Sequence, residues 1–161
     1  MSWCRKKRGA RAHGSSQRPR RAVALRAEVR RNIEESEELR GALAIHLRET
    51  EGQVKRLEKV FQLVGERPEG VTCKAIQGII EEGQEIVQEF SGAEALDAGL
   101  IAAAQAVEHY EITRYGTLLA WAKQLGLTEA EGLIQATLIE EENTDQILSE
   151  LAEDAINPAA A

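Results

Sequence analysis

Residues 100–126 read LIAAAQAVEHYEITRYGTLLAWAKQLG, and the stripe they carry decides the fold. Leu100, Ala104, Glu108, Glu111, Tyr115, Leu118 and Ala122 recur at steps of three and four, the spacing of one helix face. The face is apolar at both ends and acidic in the middle. A carboxylate inside a helix bundle costs several kcal/mol, about 3 to 5 when left unpaired, unless something compensates it. In helix bundles that compensation is commonly a metal ion.

The same design repeats on both sides of this stretch. Ser36 is placed to cap a helix running to about Val64, with a stripe of Leu39, Leu43, His46, Glu49, Gln53, Leu57, Phe61 and Val64. Gly65 stops it, and Pro68 and Gly70 fill the loop. A last helix is expected over 129–153, with Ile134, Leu138, Glu142, Asp145, Leu148 and Ala152 on one side and Thr128 and Glu131 forming a capping box. Gly126 fits the left-handed position after the preceding helix. Between these lies a shorter helix, 72–90, whose buried side is Ile76, Ile79, Ile80, Gly83, Val87 and Phe90. Asn157-Pro158 and the alanines after them read as a frayed tail over 156–161.

Three helices with polar middles and short connections predict an all-α antiparallel four-helix bundle with an extra short helix and a polar site at mid-height. The candidate ligands are His46, Glu49, Glu108, Glu111, Glu142 and Asp145. Oxygen donors with one imidazole suit iron or manganese, and carboxylates can bridge two such ions. Tyr115, one turn beyond Glu111, is a candidate hydrogen-bond donor behind the ligands. His109 lies off the stripe, Tyr110 and Trp121 read as packing residues, and Glu140, Glu141 and Glu150 are expected to face water.

The fourth wall must come from the N-terminal segment, and here the composition changes. Residues 1–31 hold eleven Lys/Arg and one acid, Glu28, whereas residues 32–161 hold nine Lys/Arg and 26 Asp/Glu. Residues 1–20 read as a disordered basic arm and 21–155 as the bundle, with Ala22, Leu25, Val29 and Ile33 allowing a short helix. The arm has the charge to neutralise phosphates but lacks interleaved aromatics, so nucleic-acid binding is the weakest reading of it.

The chain has 161 residues, 43% of them hydrophobic and 29% charged, with a net charge of −7. That suits one water-soluble domain. No run approaches the roughly 20 apolar residues of a membrane span. Cys4 and Cys73 share no metal-binding spacing, so a reducing, cytoplasmic setting is expected. Gly-rich phosphate loops and Ser/His/Asp arrangements are not visible.

From about Ser36 onward, EELRGALAIHLRETEGQVKRLEKVF, IQGIIEEGQEIVQEF, LIAAAQAVEHYEITRYGTLLAWAKQLG and LIEEENTDQILSELAEDAIN resemble the YciE/YciF-type ferritin-like proteins, the DUF892 family. The resemblance implies a ferritin-like bundle, a dinuclear iron or manganese carboxylate centre and a stress-related role in handling oxidants or iron. Glu108-xx-Glu111 matches the ExxE pair of rubrerythrin-like sites. Glu142-xx-Asp145 stands where those sites carry ExxH, and His46-xx-Glu49 has the reverse order, with Gln53 a substitute ligand. The resemblance does not reach residues 1–33, so that stretch reads as a frame-shifted or wrongly assigned start, with Glu28 the one acid able to replace a first-helix ligand. The competing reading is a non-catalytic stress protein that forms a homodimer through the Ile-rich side of the 72–90 helix.

Overall fold

The structure, a computed structural model, describes residues 36–70 and 72–161. The expectations placed on residues 1–35, namely the basic arm, the short helix, Cys4 and Glu28, lie outside the described residues. The described chain folds into four main helices, α1 (Glu37–Leu63), α2 (Lys74–Glu89), α3 (Leu96–Gln124) and α4 (Thr128–Leu151). A π-helical segment, Ala152–Ile156, and one further turn, Asn157–Ala159, complete it. No strand occurs among the described residues.

Local chemistry sets the helix ends. Ser36 Oγ accepts from the Leu39 N–H at 3.0 Å, satisfying one of the free donors of the first turn of α1. At the other end Gly65 takes φ 69°, and Glu66 N–H reaches back to Phe61 O at 2.9 Å. Gly126 repeats this after α3, with φ 67° and Leu127 N–H bonded to Ala122 O at 3.0 Å. Only glycine adopts this backbone without a Cβ penalty, and the motif satisfies carbonyls that the helix leaves over. The capping box expected at Thr128 and Glu131 does not form. Thr128 is already helical, no side chain caps the helix, and the Leu127 carbonyl accepts from Glu131 N–H at 2.8 Å. Leu127 is drawn inward against an apolar cluster, which starts the helix one residue early.

Cross-helix bonds define the packing. Gln53 and Arg56 of α1 meet Glu140 and Thr137 of α4, so these helices are antiparallel. Gln105 of α3 reaches Ser149 of α4 at 2.8 Å, again antiparallel. Ser36 N–H donates to Asp97 Oδ2 at 3.1 Å and ties the starting ends of α1 and α3 together. The short helix α2 lies along the first half of α3, from Cys73 beside Tyr110 to Ile86 beside Gly99. Its Ile76, Ile79, Ile80 and Val87 pack into the core against that helix. On the Ile-rich side expected to form a dimer surface, Ile76 and Gly83 are buried, Ile79, Ile80 and Val87 are half-buried, and Phe90 is exposed.

The interior has two apolar clusters. Leu39, Leu43, Leu96, Leu100, Ile101 and Leu148 anchor one, which extends through Ile156 into the stretch expected to be a frayed tail. Tyr115, Leu119, Ala122, Ile134 and Leu138 form the other. Between them is a buried polar layer containing His46, Thr50, Gln53, Glu108, Glu141 and Thr144. The apolar–polar–apolar order expected along each long helix is thus the architecture of the core.

Candidate metal centre

Three side chains from three helices converge in the polar layer: His46 from α1, Glu108 from α3 and Glu141 from α4. All three are at most 1% exposed. One donor atom from each lies within 4.8 Å of the other two. His46 Nε2 is 3.2 Å from Glu108 Oε2 and 3.6 Å from Glu141 Oε2. Yet it is buried and makes no hydrogen bond. An imidazole nitrogen between two buried carboxylate oxygens could hold a divalent cation, whose charge would offset the two carboxylates.

The opposite ring nitrogen is held firmly. His46 Nδ1 lies 2.8 Å from Thr144 Oγ1 and 3.3 Å from Glu49 Oε2. Thr50 Oγ1 donates to the His46 carbonyl at 2.9 Å.

Of the six ligands expected, the structure brings two, His46 and Glu108, into the cluster. Glu49 is 37% exposed and touches the outer edge of the imidazole, while Thr50 takes the buried position beside it. Glu111 is half-buried one turn from Glu108. Asp145 is turned to the α3–α4 seam, where His109 Nε2 lies 3.0 Å from its Oδ1 and Gln105 Nε2 donates to it at 3.3 Å. Glu142 is exposed, and Glu141, expected in water, is fully buried in its place.

The register of α4 accounts for this exchange. Leu138 and Leu148 are joined by three helical steps in either of two ways, through Glu142 and Asp145 or through Glu141 and Thr144. Averaging Ile134, Leu138 and Leu148 at 100° per residue puts Glu141 about 20° from the centre of the buried face and Glu142 about 80° away. That angle was a signal available in the sequence. The neighbouring polar contacts enforce it. Arg56 pairs with Glu140, and Gln53 Nε2 donates to the same carboxylate at 3.1 Å, fixing Glu140 on the α1 seam. Asp145 is fixed on the α3 seam, and Glu141 falls between them. Glu140 is accordingly a half-buried clamp residue, not a solvated one.

A separate polar contact lies on the α2 side of α3. Cys73 Sγ and Tyr110 Oη are 2.8 Å apart, and the Arg114 guanidinium stands 4.8 Å from the Tyr110 ring centroid. Burial, then the Cys73 contact, push the Tyr110 hydroxyl's ionisation above its usual range, with Arg114 opposing.

Fold and centre together define an all-α antiparallel bundle protein with a buried carboxylate–imidazole cluster. The chain belongs to the family described as Domain of unknown function (DUF892), whose sequence profile matches residues 19–161. That match begins well before Ser36, so residues 19–35, set apart from the family by their composition, fall within it. Protein YciF of Escherichia coli (strain K12) is 42% identical over 141 residues, covering 87% of this chain and 82% of that protein. The crystal structure of the E. coli stress protein YciF superposes with a TM-score of 0.82 at 38% identity, covering 89% of this chain and 90% of that one. YcfI from Rhodopseudomonas palustris superposes with a TM-score of 0.79 at 37% identity, covering 84% and 86%. No helix among the described residues is long and apolar enough to cross a membrane.

Proposed function

We propose that this protein is a metal-carboxylate bundle protein in which His46, Glu108 and Glu141 hold iron or manganese. The observation that carries the reading is the buried, non-hydrogen-bonded His46 Nε2 beside two buried carboxylates. Glu111, half-buried one turn from Glu108, is the residue through which a second ion would be held, giving a dinuclear centre. Iron or manganese supplies redox chemistry toward dioxygen or peroxide. The protein residues hold and orient the ion, and the two apolar clusters keep bulk water from it. A stress-related role is carried over from the E. coli relative, described as a stress protein.

The test is metal analysis after anaerobic loading with ferrous iron and desalting. At least about one ion per chain is expected, because binding at a site assembled only in the folded chain is coupled to folding. Apoprotein emerging from that treatment would sink the proposal.

A second reading, a homodimeric structural module, draws support from one observation. Leu118 and Trp121 of α3 and Leu125, which follows its last residue, form an exposed apolar stripe beyond the stretch that α2 covers, with Trp121 60% exposed. Patches of this kind mark interaction surfaces.

A further inference from the structure

The imidazole at the centre has two nitrogens, and the protein treats them differently. Nε2 points into the carboxylate pair without a hydrogen bond. Nδ1 has two oxygen neighbours, Thr144 Oγ1 at 2.8 Å and Glu49 Oε2 at 3.3 Å. A carboxylate only accepts, whereas a hydroxyl either donates or accepts. If Nδ1 were bare and accepted from the Thr144 hydroxyl, its lone pair would face the Glu49 carboxylate. A proton on Nδ1 satisfies both oxygens at once. It leaves the lone pair on Nε2, where a cation held between that nitrogen and the Glu108 and Glu141 carboxylates would take it up.

We propose, on the basis of the metal reading above, that Thr144 is a positioning residue. It accepts from His46 Nδ1–H, fixes the ring's tautomer and rotation, and so presents Nε2 to the cation. Glu49 is then the anionic partner of the same proton. Thr144 suits the task because it is buried, 7% exposed, and sits on α4, one turn beyond Glu141. One helix therefore supplies a ligand and the group that orients a ligand on its neighbour. Outer partners of metal-bound histidines are worth about 10- to 100-fold in affinity.

The experiment is calorimetric titration of the full chain with Mn(II) and with Co(II), at one fixed pH, for wild type, Thr144→Val, Thr144→Ser and Thr144→Ala. Melting of each metal-free protein serves as the folding control. Wild type is expected to bind, Thr144→Val and Thr144→Ala to bind about 10- to 100-fold more weakly with metal-free melting close to wild type, and Thr144→Ser to recover most of the loss. In the Co(II) protein the exchangeable His N–H resonance, shifted by the paramagnetic ion, should be sharp in wild type and Thr144→Ser but broadened by solvent exchange in Thr144→Val. Equal affinity and an equally sharp resonance in wild type and Thr144→Val would overturn the role of Thr144 and leave the metal reading standing. A wild-type chain that binds neither ion would overturn both.

Discussion

Glu141 Oε2 lies 3.6 Å from His46 Nε2 across the α1–α4 interface, and neither side chain is more than 1% exposed. The next residue along α4, Glu142, stands in solvent. Two adjacent acids of identical chemistry thus have opposite environments, so they form a matched pair for testing the site. Glu141→Gln should lower Mn(II) affinity by more than about a hundredfold, beyond the loss of an outer partner. Glu142→Gln should leave it unchanged. Titration calorimetry of the two variants decides between the two registers of α4.

Metal binding should also report on stability. A ligand specific to the folded chain at a hundred times its Kd contributes about 2.7 kcal/mol, which for a chain of this size raises Tm by about 5 to 10 °C. Scanning calorimetry with and without Mn(II) should show that rise in wild type. It should be absent in His46→Ala.

Packing of α2 on α3 depends on a missing side chain. A Cβ at Gly99 would lie 2.7 Å from Ile86 Cγ2. Gly99→Ala should therefore destabilise the fold by about 1 to 3 kcal/mol, the usual cost of overpacking, despite its better helix propensity. Urea unfolding measures it. A stabilised variant would show that α2 is loosely held.

The uncovered stripe on α3 carries the prediction for assembly. If Leu118, Trp121 and Leu125 join two copies, the wild-type chain sediments as a dimer and Trp121→Glu as a monomer. A wild-type monomer at high protein concentration would leave the stripe without that role.

Tyr110 gives a pH-dependent prediction. Its hydroxyl ionises above the usual range in the folded protein, chiefly through burial. The unfolded chain then loses the Tyr110 proton first, so the stability tied to this group is complete below about pH 10 and declines as pH rises further. Tyr110→Phe should lack that decline. Urea midpoints measured from pH 8 to 11 compare the two.

Much of the fold could be read from local signals. Ser36, Gly65 and Gly126 act through their own backbone and side-chain chemistry, and the helix ends fall where they predict. The polar layer was equally legible, because His46, Gln53 and Glu108 interrupt long apolar stripes. What was hidden was rotation by a single residue. Thr50 is buried where Glu49 was expected, Leu119 where Leu118 was, and Glu141 where Glu142 was. Steps of three and four both continue a stripe, so spacing alone leaves the choice open. Arg56 and Gln53 on one seam and His109 and Gln105 on the other make the choice in α4, and those contacts cross helices. The Ile-rich side of α2 was ambiguous for a similar reason, since an apolar face does not say whether its partner is the same chain.

The central claim is that buried acids from separate helices meet because a cation belongs between them. The most direct measurement is anomalous diffraction from crystals grown with Mn(II) or ferrous iron, recorded on both sides of the metal edge. The account predicts a peak bounded by His46 Nε2, Glu108 and Glu141, lost in Glu141→Gln. A map that is empty there under saturating metal, or one whose density sits instead beside Glu142, would contradict it.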